Sequence, residues 1–267
     1  MLKDITLGQY FPGNTPVHRL DPRTKLLLVV VYIVALFLCE WFISYGLMAL
    51  FLVTAIVLSR IRPKALLRGL KPLLIIILFT ALLNLFFTDG EVLVHWWIFR
   101  ITREGLTNAF FLVLRIMLLV MGTFLLTYTT SPIALTDGLE SLLSPLKLLH
   151  FPVHELAMMM SIALRFIPTL IEETDKIISA QKARGADFET GNIFRRAKAL
   201  IPILVPLFVS AFRRADELAT AMECRCYHGG KGRTKLKQLH FRTSDVVALL
   251  VGVLVLASVI VLRCFGL

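Results

Sequence analysis

Two short stretches carry the chain's most distinctive chemistry. "AQKARGADFE" runs from Ala180 to Glu189, and "AMECRCYHGG" runs from Ala221 to Gly230. Each sets one arginine between two small residues: Ala183-Arg184-Gly185 and Cys224-Arg225-Cys226. A guanidinium keeps its charge and offers carboxylates a planar fork of donors. Small flanking residues let such a tip enter a groove on a partner, in the manner of helix-in-groove docking. A helix C-terminus carries partial negative charge and favours a cation. Glycines follow both tips, Gly185 after the first and Gly229-Gly230 after the second. They are expected to end each helix and leave the arginine projecting.

Other candidate chemistry is weaker. Cys224-x-Cys226-x-His228 has single-residue gaps, which are not structural zinc spacings, and it lacks a second ligand pair. "GGKGRTK", Gly229 to Lys235, lacks the spacing of a phosphate loop and reads as a basic linker. No nucleotide site is therefore expected, and no bound cofactor or metal. The six histidines are scattered and form no nucleophilic arrangement, so an intramembrane enzyme lacks candidate residues. Arg115 falls near the centre of an apolar run, where a cation is costly and should face the interior with a partner. Asn84 is the second polar candidate at membrane depth. Both read either as a contact or hinge for another subunit or as buried structural groups.

The elements that must hold these residues are apolar. Of 267 residues, 57% are hydrophobic, and the formal net charge is +11. Long uncharged runs mark an all-α polytopic membrane protein with about five transmembrane helices. The positive charge fits cytoplasmic loops rich in Lys and Arg, so no nucleic-acid partner is expected. Four cysteines form no disulfide framework. About 25 polar residues precede the first apolar run, unlike a cleavable signal.

Expected spans are Leu26–Cys39, Leu47–Leu58, Pro72–Phe87, Leu106–Tyr128 and Asp245–Leu262. Glu40, Trp41, Tyr45 and Gly46 read as an interfacial turn. "SRIRPKALLRGLKP" carries five bases and no acid and reads as a cytoplasmic loop. Lys3, Arg19, Arg23 and Lys25 place the N-terminus on the same side. Trp96 and Trp97 suit the opposite interface. This divides the chain into N-terminal transmembrane helices (1–130, N-terminus cytoplasmic), cytoplasmic coupling helices (131–243) and a final transmembrane helix (244–267).

The middle segment is apolar at helical spacing and charged on its other faces. Ser131 and Pro132 read as a helix start. One long helix is expected to end at Gly185, with a kink at Pro168, and another at Gly229-Gly230, bent by Pro202 and Pro206. Its Leu200–Phe212 stretch, 13 residues between basic clusters, reads as buried or re-entrant. Met158, Met159 and Met160 read as core packing. Arg165, Glu172, Glu173 and Asp175 read as structural pairs.

"AQKARGADF" and "AMECRCY", with "TSP", "HELAMMMSIALRFIP", "EE" and the N-terminal "HRLDPRTK", resemble the transmembrane T component of energy-coupling factor (ECF) transporters. That family includes the cobalt-transport permease. The resemblance covers nearly the whole chain in motif order and spacing. It implies a scaffold subunit of an ATP-driven importer for vitamins or transition-metal ions, in a bacterial or archaeal cell membrane. It implies two ATP-binding cassette ATPases as partners, which would hydrolyse the ATP, and a substrate-binding membrane S component. It assigns the two X-Arg-X motifs, by position Arg184 and Arg225 with their flanks, to ATPase docking. The second motif departs from the family's usual small residues by having Cys224 and Cys226, which are small and modestly hydrophobic. A self-contained secondary transporter or channel is the competing reading. It would show broken helices in an internal repeat around a midplane site, and no such repeat is visible.

Overall fold

Several helices in this chain begin at prolines. Proline lacks the N–H that a first helical turn leaves unpaired, and its fixed φ already suits the helix. In the computed structural model Pro16, Pro22, Pro63 and Pro132 each open a helix. Thr15, Asp21 and Ser131 stand before three of them and accept from the amides of His18, Arg23 and Ala134. The structure describes residues 10–88, 92–96, 99–149, 151–186, 188, 193–229 and 238–265. Lys3, Trp97 and most of Gly229–Lys235, named above, lie outside them.

The helices are α1 (Pro16–Arg19), α2 (Pro22–Leu38), α3 (Phe42–Ser59), α4 (Pro63–Leu70), α5 (Leu74–Phe87) and α6 (Arg103–Thr129). They continue as α7 (Pro132–Leu142), α8 (Val153–Ala183), α9 (Ile193–Cys224) and α10 (Thr243–Phe265). Strands β1 (Val92–Trp96) and β2 (Phe99–Thr102) pair antiparallel, with Val94 opposite Ile101 and Trp96 opposite Phe99. The chain forms two compact units. One takes the described residues between Gly8 and Ser141 and between Leu239 and Leu267. The other takes those between Leu142 and Gln238.

In the first unit α2 packs against α3, α6 and α10. Tyr32, Leu36, Tyr45, Met48, Leu118 and Val259 form its buried core. Glycines set the closest approaches. A Cβ on Gly122 of α6 would stand 2.4 Å from the Tyr32 ring, and one on Gly252 of α10 would stand 2.5 Å from Leu28. Small residues at helix crossings are the usual means of packing in a bilayer. The outer surface is apolar: Val57, Ile75, Leu78, Phe79 and Leu254 are all more than half exposed. Such a surface would drive aggregation in water and is the ordinary one in lipid.

Among the described residues, five helical stretches are long and apolar enough to cross a membrane: α3, α4 with α5, α6, α8 and α10. The number agrees with the expected five, but the membership differs. α2 has 17 residues and falls just short in length, whereas α8 qualifies through its apolar first half. The charged second half of α8, with Glu172, Glu173, Asp175 and Lys176, is what marks it as water-facing in the sequence.

Three local expectations are corrected. The basic stretch after α3 is not a loop. It folds as α4, with Leu66 and Leu70 buried, Lys64 and Arg68 exposed, and a 3-10 turn leading into α5. Tyr45 and Gly46 are not in the interfacial turn, because α3 already starts at Phe42 and Tyr45 is buried. Trp41 stands before that helix and is half exposed. The second long helix ends at Cys224, five residues before Gly229.

Candidate functional site

Both arginines sit at helix C-caps of one geometry. After α8, the amide of Gly185 donates to the Lys182 carbonyl (3.0 Å) and that of Ala186 to the Gln181 carbonyl (3.0 Å). After α9, the amide of Cys226 donates to the Glu223 carbonyl (2.8 Å) and that of Tyr227 to the Met222 carbonyl (3.0 Å). This paired pattern satisfies the last free carbonyls and requires a left-handed residue just past the cap. Gly185 supplies it with φ +85° and Cys226 with φ +57°. The residue that ends the second helix is therefore Cys226 and not a glycine, a correction to the expected role of Gly229-Gly230. Ala183, Arg184, Gly185, Cys224, Arg225 and Cys226 are all exposed.

The likeness runs back along both helices. Asp175, Ser179, Ala180 and Arg184 of α8 fall at the same register as Asp216, Thr220, Ala221 and Arg225 of α9, forty-one positions on. Ser179 Oγ donates to the Asp175 carbonyl (2.8 Å), and Thr220 Oγ1 to the Asp216 carbonyl (2.9 Å). The two arms are a short internal repeat, visible by laying 173–185 over 214–226. Sequence reading that looked for repeated spans missed it.

A tie joins the arms at matching points. Glu173 accepts from Arg214 (2.7 Å) and from the Ser210 hydroxyl. Nearer the α8 tip, Gln181 Nε2 donates to the Pro202 carbonyl (3.4 Å). That carbonyl lacks its helical partner because Pro206, four residues on, has no N–H. Residue numbers rise along α8 as they fall along α9, so the pair is antiparallel and the tips point to opposite ends. Arg184 lies eleven residues beyond Glu173, and Arg225 lies eleven beyond Arg214. At 1.5 Å per residue each arm is about 16 Å long.

The apolar side of α9 is open. Leu200, Ile201, Val205, Phe208, Val209 and Phe212 are about half exposed or more, and Ile203 alone of 200–212 is buried. The stretch is continuous helix. Pro168 likewise sits inside an unbroken α8. Met159 and Met160 are exposed, so the expectation of core packing fails for them within this chain.

Arg115 finds its partners on α2 and α3. Nε donates to the Tyr45 hydroxyl (2.9 Å) and a terminal nitrogen to the Cys39 carbonyl (2.8 Å). The guanidinium also lies 5.9 Å from the centre of the Phe37 ring and 5.8 Å from that of Tyr45. Cys39 caps α2, so the cation meets the negative end of that helix dipole. No acid was needed to hold it. Asn84 bonds back along its own helix to the Thr80 carbonyl (3.0 Å). The structure does not bring Arg115 and Asn84 into one site. No group of three or more His, Cys, Asp or Glu among the described residues is placed to hold a metal.

These features define a multi-pass helical membrane protein that carries a pair of tied, arginine-tipped helices. The chain matches CbiQ, described as a cobalt transport protein, over residues 13–236. Along almost its whole length it is similar to proteins named energy-coupling factor transporter transmembrane protein EcfT. It is 54% identical over 259 residues to that of Thermosediminibacter oceani (97% of this chain, 98% of the relative). It is 49% identical over 261 residues to that of Bacillus subtilis (97% and 98%), and 44% over 262 to that of Lactococcus lactis (98% and 98%). The chain belongs to this family of ECF transporter membrane components.

Proposed function

We propose that this chain is the non-catalytic scaffold of an ATP-driven importer of the cell membrane, with its N-terminus in the cytoplasm. Arg184 and Arg225 each dock one ATP-binding cassette ATPase, and ATP is bound and hydrolysed there. The tied pair α8–α9 passes the movement of the ATPases to the membrane helices and to a substrate-binding membrane subunit. Vitamins or transition-metal ions are the solutes this reading allows. The observation that carries it is the repeat of one capped arginine tip on two arms of equal length. Two like tips call for two like partners. A groove that receives a desolvated guanidinium must present acceptors, and loss of one member of such a pair costs about 2–5 kcal/mol.

The test is detergent co-purification with the two ATPases of the same transporter. Wild type should retain both. Arg184→Glu with Arg225→Glu should lose both while the protein stays inserted, and each single change should weaken the complex less. Equal retention by the double reversal would mean that docking lies elsewhere. A self-contained transporter would retain neither ATPase at all.

A further inference from the structure

The motif "HRLDPRTK" takes no part in the docking proposed above, yet it supplies two buried charges, Asp21 and Lys25, beside a third, Asp245. Asp245 is fully buried, and Asp21 and Lys25 are 6% exposed each. Buried charges persist only where hydrogen bonds replace water. The Lys25 ammonium has three donors. They reach the His18 carbonyl (3.2 Å), the Thr129 carbonyl (2.9 Å) and Thr130 Oγ1 (3.3 Å). The Asp245 carboxylate accepts from the amide of Asp21 (2.7 Å) with one oxygen and from that of Arg242 (2.8 Å) with the other. Asp21 in turn caps α2 through the Arg23 amide (2.9 Å). Arg23 lies 5.3 Å from the centre of the Phe241 ring. Gly138 of α7 comes so close that a Cβ there would stand 2.9 Å from that of Pro22.

These partners fall on two sides of the chain path. Thr129, Thr130 and Gly138 belong to the strand of chain that leaves the first unit after Ser141. Phe241, Arg242 and Asp245 belong to the strand that returns to it at Leu239. One helical turn, Asp21 to Lys25, grips both. The geometry points to this turn as the junction that holds the outgoing and returning ends of the coupling segment together and relays its movement to α2 and α10. Lys25, Asp21 and Asp245 are positioning residues, since their hydrogen bonds join segments of the chain to one another. The relay rests on the coupling role proposed above.

A rigid junction makes its two ends respond as one. The experiment is hydrogen exchange on the full chain in lipid nanodiscs. Asp245→Asn should speed exchange over residues 127–134 as well as 240–246, and Lys25→Met should do the same from the other side. Gly138→Ala is the milder variant, in which every charge remains and Pro22 is displaced, and it should loosen both ends too. If each substitution affects only its own side, there is no junction. The relay is then read in the complex with both ATPases, as the change in α2 and α10 exchange on adding ATP and vanadate. The variants should keep the ATPases bound yet reduce that change by about two- to thirty-fold, the span of measured coupling effects. An undiminished change overturns the relay. If wild type itself binds no ATPase, the coupling role falls and the relay falls with it, while exchange in the isolated chain still decides the junction.

Discussion

Cys226 adopts a backbone conformation that its counterpart Gly185 adopts at no steric cost. A Cβ in the left-handed region costs roughly 1–2 kcal/mol. Cys226→Gly should therefore stabilise the second cap by about 1 kcal/mol and slow exchange of the Cys226 and Tyr227 amides. Gly185→Ala should do the reverse at the first. His18 poses a different question. Burial lowers the affinity of its ring for a proton, the Phe11 carbonyl at 3.1 Å raises it, and the Lys25 ammonium lowers it again, with a net depression. Thr15 Oγ1 stands 2.6 Å from the other ring nitrogen. A histidine whose folded pKa is depressed contributes stability above its unfolded value of about 6.5, and that contribution is lost as pH falls below it. The segment around Phe11, whose amide bonds the Tyr128 carbonyl, should come loose to proteases between pH 7.5 and 5. His18→Gln should flatten that dependence.

At the scale of helices, the glycine crossings decide the packing. Gly252→Leu would push α10 off Leu28 of α2. Overpacking of this kind costs about 1–3 kcal/mol and should lower Tm in detergent, whereas substitution at Gly46, which has nothing within 4 Å of its Cβ position, should not. The start of α7 at Ser131–Pro132 was legible, because proline and its preceding acceptor act locally and are written side by side, and so was the start of α10 at Thr243–Asp245. The start of α3 was not. Trp41 and Tyr45 read as one interfacial cluster, but Arg115, seventy positions later, draws Tyr45 inside. The strand pair 92–102 and the amphipathic α4 were hidden for a related reason. Their neighbours in sequence suggested a loop, and only burial of Leu66 and Leu70 reveals a face.

For the molecule as a whole, the two arginine tips and their like flanks could be read from residue type and spacing, while the equivalence of their cap geometry could not. That equivalence resides in backbone angles and in a cross-helix tie. The register of Asp175 with Asp216 would have signalled it to a search for short repeats. The tie itself is weak. Both partners are partly exposed, and such pairs contribute about 0.2–1 kcal/mol. Glu173→Lys should therefore leave the protein folded but, on the proposed docking, lower recovery of both ATPases. Exchanging the charges, Glu173→Arg with Arg214→Glu, should restore recovery in the same co-purification.

Equal arms on either side of the Glu173–Arg214 pair have a mechanical consequence. The two tips have the same leverage about Glu173–Arg214. Forces that arrive at both in phase shift the pair bodily, and forces that arrive out of phase turn it about the tie. Eleven residues is also within about 20° of three full helical turns, so each arginine projects on nearly the same side of its helix as the tie residue. If the tips dock two partners as proposed, symmetric movement of those partners becomes translation with little torque. Lengthening one arm alone would unbalance the fulcrum and turn the same stroke into rotation.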